Sequence, residues 1–405
     1  MRISILLTLA FAVGISACDD EKTAGPGSTA TFVKVYGSPN EETAHDMLIN
    51  ADGTVAILAT QEIVEDGNTF TKIKILQVDE LGNEIWSAAY PEVDTISYEA
   101  SSIMSFSEGY LITGTSINAD SRNALLLQIN QSGSLINTVE YSLDDGDTNI
   151  DGVDAVWTSQ NELRFVGVGA TDVDEIWIGN YSADLTFNPE CSKRLDATLE
   201  NARGFKSMYV DNDNLLLGIT GTQADLSKDN ARMLSISTSC FPQIISGTFL
   251  SNDGSSTDYK GQEITKALNG FAMVGTSSAG NDDDIFMARL DNQGLIIGSI
   301  MHYGMIEGLT LSDDEEGLTI TATQDGGFLI AGSSESNSDG SDIILIKTTL
   351  NGSVQWYKFF GDANDEQASV VRQAADGGYF VLGETEFGGI NTLILLKTDS
   401  QGLVN

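Results

Sequence analysis

The chain has 405 residues and carries 59 acidic against 20 basic side chains, a formal net charge of −39. So acidic a surface excludes nucleic acid as a partner, because phosphate binding needs a basic footprint, and it disfavours direct docking on anionic lipid. The two histidines, His45 and His302, lie far apart in the sequence, which leaves a histidine-rich zinc site or a Ser-His-Asp triad without support.

In chain order, Met1-Arg2 gives a short positive start, and Ile3 to Val13 an almost unbroken apolar run. That run is too short to cross a bilayer but has the length of a signal-peptide core. It ends in Ile15-Ser16-Ala17-Cys18, which resembles the bacterial lipobox. The resemblance implies removal of residues 1–17 and lipidation of Cys18, with two kinds of acyl attachment making the anchor stable. The alternative is an ordinary secretory signal with a chance cysteine. Asp19 to Ala30 is polar, contains Gly-Pro-Gly and has no apolar period, so residues 18–30 read as a tether. The acids directly after Cys18 are of the kind that sorts lipoproteins, and the expected location is the cell envelope, with the outer membrane favoured. The membrane is then reached through the lipid anchor.

From residue 31 onward the dominant signal is a repeat. The clearest copies are Gln324-Asp325-Gly326-Gly327-Phe328-Leu329-Ile330-Ala331-Gly332 and Ala375-Asp376-Gly377-Gly378-Tyr379-Phe380-Val381-Leu382-Gly383. Counting the weaker copies, the residue after each turn is Thr54, Tyr110, Leu163, Leu215, Phe271, Phe328 and Tyr379, spaced 51 to 57 residues apart. Seven copies at that period are in the range of propeller blades. Each unit reads as four short strands, as in Ser341 to Thr348, the turn Leu350-Asn351-Gly352, and Val354 to Phe360. No segment carries a convincing helical period, and five prolines suit closely paired strands.

The two ends complement each other. Phe32-Val33-Lys34-Val35-Tyr36-Gly37 aligns with Trp356-Tyr357-Lys358-Phe359-Phe360-Gly361, while the last unit stops at Gly402-Leu403-Val404-Asn405 without the body of its outer strand. The expected fold is therefore all-β: a single closed β-propeller of seven four-stranded blades over residues 31–405, the last blade completed by the N-terminal strand. Closure removes open sheet ends that would recruit other chains.

The repeat resembles the blades of bacterial propeller lipoproteins that carry a DGG(F/Y)-hydrophobic-Gly turn followed by a D-x-x-L-x-K-T-D-x-x-G hairpin. It is sharp in the last two units and degenerate in the third and fourth. The resemblance implies a propeller on an exported scaffold and no particular activity, since one fold hosts many functions.

Candidate chemistry is sparse. Asp145, Asp147, Asn149, Asp151 and Gly152 match the first half of a calcium loop, with oxygens at alternate positions and a glycine for the turn, but Thr158 stands where an EF-hand has its last glutamate. The bland alternative is a solvated acidic turn, so Ca2+ is an optional ligand and no cofactor is required. Asn281-Asp282-Asp283-Asp284 and Ser312-Asp313-Asp314-Glu315-Glu316 read as exposed loop tips; the second falls in a connection six residues longer than its counterparts. Cys191 and Cys240 occupy corresponding places in consecutive repeats, so an inter-blade disulfide and two separate thiols both remain open. Trp86 and Trp356 read as packing residues; Trp157 and Trp177 as core or ligand-facing. No catalytic residue can be singled out. The leading functional expectation is a non-catalytic envelope module that binds a glycan, a protein or a cation. The rivals are a propeller hydrolase or lyase acting on polysaccharide through Asp and Glu in the channel, and a passive scaffold.

Overall fold

The computed structural model describes residues 30–65, 67–92, 96–141, 149–169, 175–196, 200–211, 214–223, 228–250, 257–278, 283–306, 309–310, 314–335 and 340–405. The proposed signal peptide, Cys18 and nearly all of the tether, and Asp145 and Asp147, lie outside them. The described elements are strands, apart from one turn of 3-10 helix at Pro189–Cys191. They form seven four-stranded antiparallel sheets, joined in a ring, and one small extra hairpin. Lettered A to D from the axis outward, the A strands of blades 1 to 7 are Glu42–Ile49, Ser97–Phe106, Ile150–Trp157, Glu200–Asp211, Asp258–Lys266, Glu315–Ala322 and Glu366–Gln373. The long connection before blade 6 holds the small hairpin, Met305–Ile306 paired with Leu309–Thr310.

Strand B and C sequences are near-continuous apolar runs because both of their faces are covered by neighbouring blades. Phe328–Ser334 and Asp342–Thr348 in blade 6 are buried along their whole length. One apolar cluster fills each of the seven interfaces. Between blades 7 and 1, for example, Ile57, Leu76 and Val78 meet Val370, Leu382 and Leu395. The outer D strands are less buried, and the closing one, Phe32–Tyr36, alternates: Phe32, Lys34 and Tyr36 turn inward and Val33 and Val35 outward.

The Asp-Gly-Gly turn has a mechanical reason. Gly377 sits at φ +85°, a region side chains rarely adopt, and any Cβ on Gly378 would run into the carbonyl of Thr398. Asp376 Oδ1 accepts the Gly378 N–H at 2.9 Å and the Lys397 ammonium at 2.9 Å. The same pair, Asp325 with Lys347, recurs one blade earlier at 3.0 Å. The aspartate of the turn and the lysine of the Lys-Thr motif are thus one interaction, linking strand B's entry to strand C's exit.

The N-terminal strand closes the ring. Phe32 pairs with Lys397 and Tyr36 with Leu393 on the outer side of strand C in blade 7. Thr31 Oγ1 accepts the Asn405 N–H at 2.8 Å, so the two ends of the propeller touch. The same strand holds blade 1: the Tyr36 hydroxyl donates to the Gly82 carbonyl at 2.9 Å, and Phe32 and Lys34 lie under that glycine's turn. The clasp recurs at other junctions. Tyr90 donates to the Gly133 carbonyl, Tyr303 to that of Gly352 at 3.0 Å, and the turns at Gly133 and Gly402 rest on Trp86 and Trp356. Those two tryptophans are packing residues. So is Trp177, stacked on Tyr141 with centroids 4.2 Å apart, and Trp157 stacks on Phe106 at 5.6 Å.

Blades 3 and 4 are joined differently. Strand D of blade 3 is only Lys193–Asp196, and Cys191 is bonded to Cys240 of the next blade's outer hairpin. Arg164, 1% exposed, reaches the Thr238 carbonyl at 2.6 Å and the Cys191 carbonyl at 3.4 Å, spanning the junction beside the disulfide. Burial lowers the pKa of this guanidinium, and Glu162 at 3.0 Å opposes the shift.

Candidate functional site

Every innermost strand carries a β-bulge at the same place. The register shifts after Ala44, Ala100, Gly152, Gly204, Gly261, Gly317 and Ala368. A bulge leaves backbone groups outside the ladder, and buried N–H groups must find acceptors elsewhere. Here the acceptors come from the preceding blade, in two tiers around the axis.

The upper tier uses the residue after the strand B glycine or its equivalent. Thr60 accepts the N–H of Ala100, Thr115 that of Gly152, and Thr220 that of Gly261, at 3.0, 3.2 and 2.8 Å. Glu384 does the same for Ala44 across the closing seam, at 2.8 Å. The register partner of Asp151 in blade 3 is Val168, which has no acceptor to offer.

The lower tier uses the residue after the bulge. Asp46 Oδ2 accepts the N–H of Ile103 at 3.1 Å, Glu263 Oε2 that of Ile320 at 2.9 Å, and Thr319 that of Val371 at 3.1 Å. Asp154 accepts the N–H groups of Ala155 and Met208 and the Ser102 hydroxyl, the last at 2.6 Å. Arg372 reaches across the channel to Asp46 and Glu263, both at 3.1 Å. Burial pushes the Asp154 carboxyl up to about 7, and the negative charge of Asp46 adds to this against the hydrogen bonds it accepts. Burial also raises Asp46, with the Arg372 guanidinium opposing it.

Above this girdle, at the face where the A strands begin, lies an axial cavity of about 570 Å3. Its lining comes from blades 1, 4, 5, 6 and 7 and mixes donors and acceptors, among them Thr43, His45, Lys260, Gln262, Gln367 and Asp229. Two further basins open on the same face. One, about 410 Å3 over blades 5 to 7, is lined among the described residues by eight Asp and Glu side chains and no Lys or Arg. The other, about 400 Å3 over blades 1 to 3, includes Glu41, Glu62, Glu99, Arg122 and Asp151.

Of the described half of the proposed calcium loop, Asp151 and Gly152 line this third basin. Asp151 Oδ1 accepts from Arg122 Nε at 2.7 Å, and Asn149 Oδ1 from the Arg122 backbone N–H at 3.1 Å. Both oxygens are thus engaged by a cationic residue; Asp145 and Asp147 are outside the described residues. Among the described residues no group of three or more His, Cys, Asp or Glu side chains is arranged to hold a metal ion. Of the two acidic runs, Asp283, Asp314 and Glu316 line the second basin, but Glu315 is no exposed tip: it is buried in the innermost strand of blade 6, where it accepts from the Ser334 hydroxyl at 3.0 Å.

Sequence reading missed the girdle. A signal was present: a small residue followed two positions later by a polar one, in Ala44-His45-Asp46, Ala100-Ser101-Ser102, Gly152-Val153-Asp154, Gly261-Gln262-Glu263 and Gly317-Leu318-Thr319. It recurs with the blade period but lies upstream of the more visible glycine turn.

No family model and no curated protein matches the chain. Solved structures do. The extracellular domains 1–2 of Drosophila Semaphorin 1a share 9% identity at a TM-score of 0.54, covering 92% of this chain and 88% of that one. An α-L-arabinanase from Penicillium chrysogenum, solved with arabinobiose, shares 12% at 0.50, covering 92% and 98%. The β-propeller domain of the Trilobed protease from Pyrococcus furiosus, which has an open velcro topology, shares 8% at 0.50, covering 88% and 93%. At these identities the likeness is one of fold: the chain is a seven-bladed β-propeller, sealed by its own first strand.

Proposed function

We propose that this chain is a lipid-anchored, non-catalytic binding module of the cell envelope, which receives its ligand on the face where the innermost strands begin. One observation carries the reading. The axial carboxylates of Asp46 and Glu263 are committed to backbone N–H groups and to Arg372, so they build the floor of a cavity instead of facing a reacting centre. What remains open above them is a preformed polar cup of about 570 Å3, in the size range of ligand pockets. The test is a glycan array probed with the Thr31–Asn405 propeller, with and without EDTA. Silence throughout would remove the carbohydrate and cation readings together and favour a passive scaffold. The lipid anchor is tested separately: Cys18→Ser should move the protein from the membrane to the soluble fraction, and an unchanged membrane fraction would refute lipidation.

A second reading rests on Asp154. A carboxyl pushed up to about 7 in an axial channel is what a general acid in a polysaccharide hydrolase or lyase needs. That reading expects release of reducing ends from a polysaccharide, abolished by Asp154→Asn in a variant that remains folded.

A further inference from the structure

We infer that the three basins form one continuous trough, and that its ligand is a linear, uncharged polysaccharide laid across the propeller axis. The inference rests on the binding reading above and names its ligand class. Continuity follows from shared walls. Gln367 and Glu384 line both the axial cavity and the basin over blades 5 to 7. Thr43 and His45 line both the axial cavity and the basin over blades 1 to 3. A small solute would need one basin; a trough running from one side of the wheel to the other suits a polymer.

The chemistry of the walls selects the polymer. At the centre, the amides of Gln262 and Gln367, the hydroxyls of Thr43 and Ser369, and Lys260 with Asp229 offer donors and acceptors in mixture. A sugar hydroxyl both gives and accepts, so it matches such a surface. In the two arms carboxylates dominate, and these accept hydroxyl protons while repelling phosphate, sulfate or uronate polymers. An exposed aromatic residue stands at the edge of one arm. Phe387, 64% exposed, stands in the turn between Glu386 and Asn391, both of which line the basin. Gly388 and Gly389 at φ +68° and +83° and the Phe387 N–H to Ile390 carbonyl bond of 2.9 Å fix that turn. An exposed aromatic ring beside hydrogen-bonding groups is suited to the apolar face of a pyranose or furanose. The two tiers of inter-blade bonds hold the floor, so little ordering is required when a ligand enters.

The experiment titrates the full chain, in mild detergent, with ladders of neutral gluco-, manno- and arabino-oligosaccharides from disaccharide to octasaccharide, at low and high salt. For one ladder, affinity should rise about tenfold or more between disaccharide and hexasaccharide as further subsites fill, with little dependence on salt. Phe387→Ala should weaken the hexasaccharide about tenfold and leave the disaccharide unchanged, while Gln262→Ala should weaken both. An affinity that levels off at the disaccharide, or a Phe387→Ala variant that binds the hexasaccharide normally, overturns the trough while leaving the axial cup standing. Tighter binding of an oligolysine peptide, lost at high salt, would make the partner a basic protein segment and refute the polysaccharide. Failure of every ladder, at every length, removes carbohydrate as the ligand of the cup as well.

Discussion

The seam between blades 7 and 1 and the junction between blades 3 and 4 solve the same problem with different chemistry. At the seam everything is repeat-like: five backbone register pairs, a tyrosine clasp from Tyr36 to Gly82, and Glu384 capping the bulge of the next blade. At the 3–4 junction the repeat has decayed. Val168 stands where Thr60, Thr115 and Thr220 offer a hydroxyl, the outer strand of blade 3 is Lys193–Asp196, and a disulfide with the buried Arg164 holds the edge. The difference teaches that the wheel tolerates sequence drift where a covalent bond has taken over from hydrogen bonds, but not at the seam, which has no such bond.

The largest expected effect breaks the seam. Deleting residues 32–36 should cost more than about 5 kcal/mol, enough to erase the stability of an ordinary domain, and should abolish a cooperative thermal transition by circular dichroism. A normal transition in that variant would mean the seam is dispensable. Next comes the staple. Replacing Cys191 and Cys240 by serine, a pair 49 residues apart, should cost about 2–4 kcal/mol, read as a lower denaturant midpoint. Hydrogen exchange should rise in blades 3 and 4 before it rises in blades 7 and 1.

A pH effect of intermediate size belongs to the same junction, because Asp154 of blade 3 caps Met208 of blade 4. Its carboxyl ordinarily titrates near 3.8 and is raised to about 7 in the folded chain. The folded state therefore keeps a proton that the unfolded chain has released. The stability this gives is full below pH 3.8 and is lost as pH rises towards about 7. Asp154→Asn should flatten that decline in urea midpoints measured from pH 4 to pH 8, and an unaltered slope would place the titration elsewhere. The smallest effect restores what drift removed. Val168→Thr in the double-serine background should recover about 0.5–1 kcal/mol, the worth of one net hydrogen bond less the buried methyl. A further loss would show that Gly204 needs no acceptor there.

The wheel was legible in the sequence because its blade pattern is local and repeated. Asp376-Gly377-Gly378 needs a left-handed glycine and a glycine without room for Cβ, and Lys397 answers Asp376, so each copy announces itself. The closing strand was legible because Phe32 to Gly37 carries the same residue order as Trp356 to Gly361, an aromatic, then Lys two places on, then an aromatic and a glycine. The girdle was not. Asp46, Asp154 and Glu263 read as ordinary members of an acidic population of 59 and Arg372 as one of 20 bases, and what distinguishes them is a bulge and partners on other blades. The trough was hidden for a related reason: Gln367 and Thr43 lie far apart in the chain and meet only when the ring is complete.

The hydrogen bond between Thr31 and Asn405 has a topological corollary. Because the ends abut, a short peptide could join them and the chain could be reopened between any two other blades, leaving all pairings intact. In such circular permutants the point where a tether departs would travel around the rim. The direction in which the cupped face is presented to its surroundings would then change while the cup itself stayed the same.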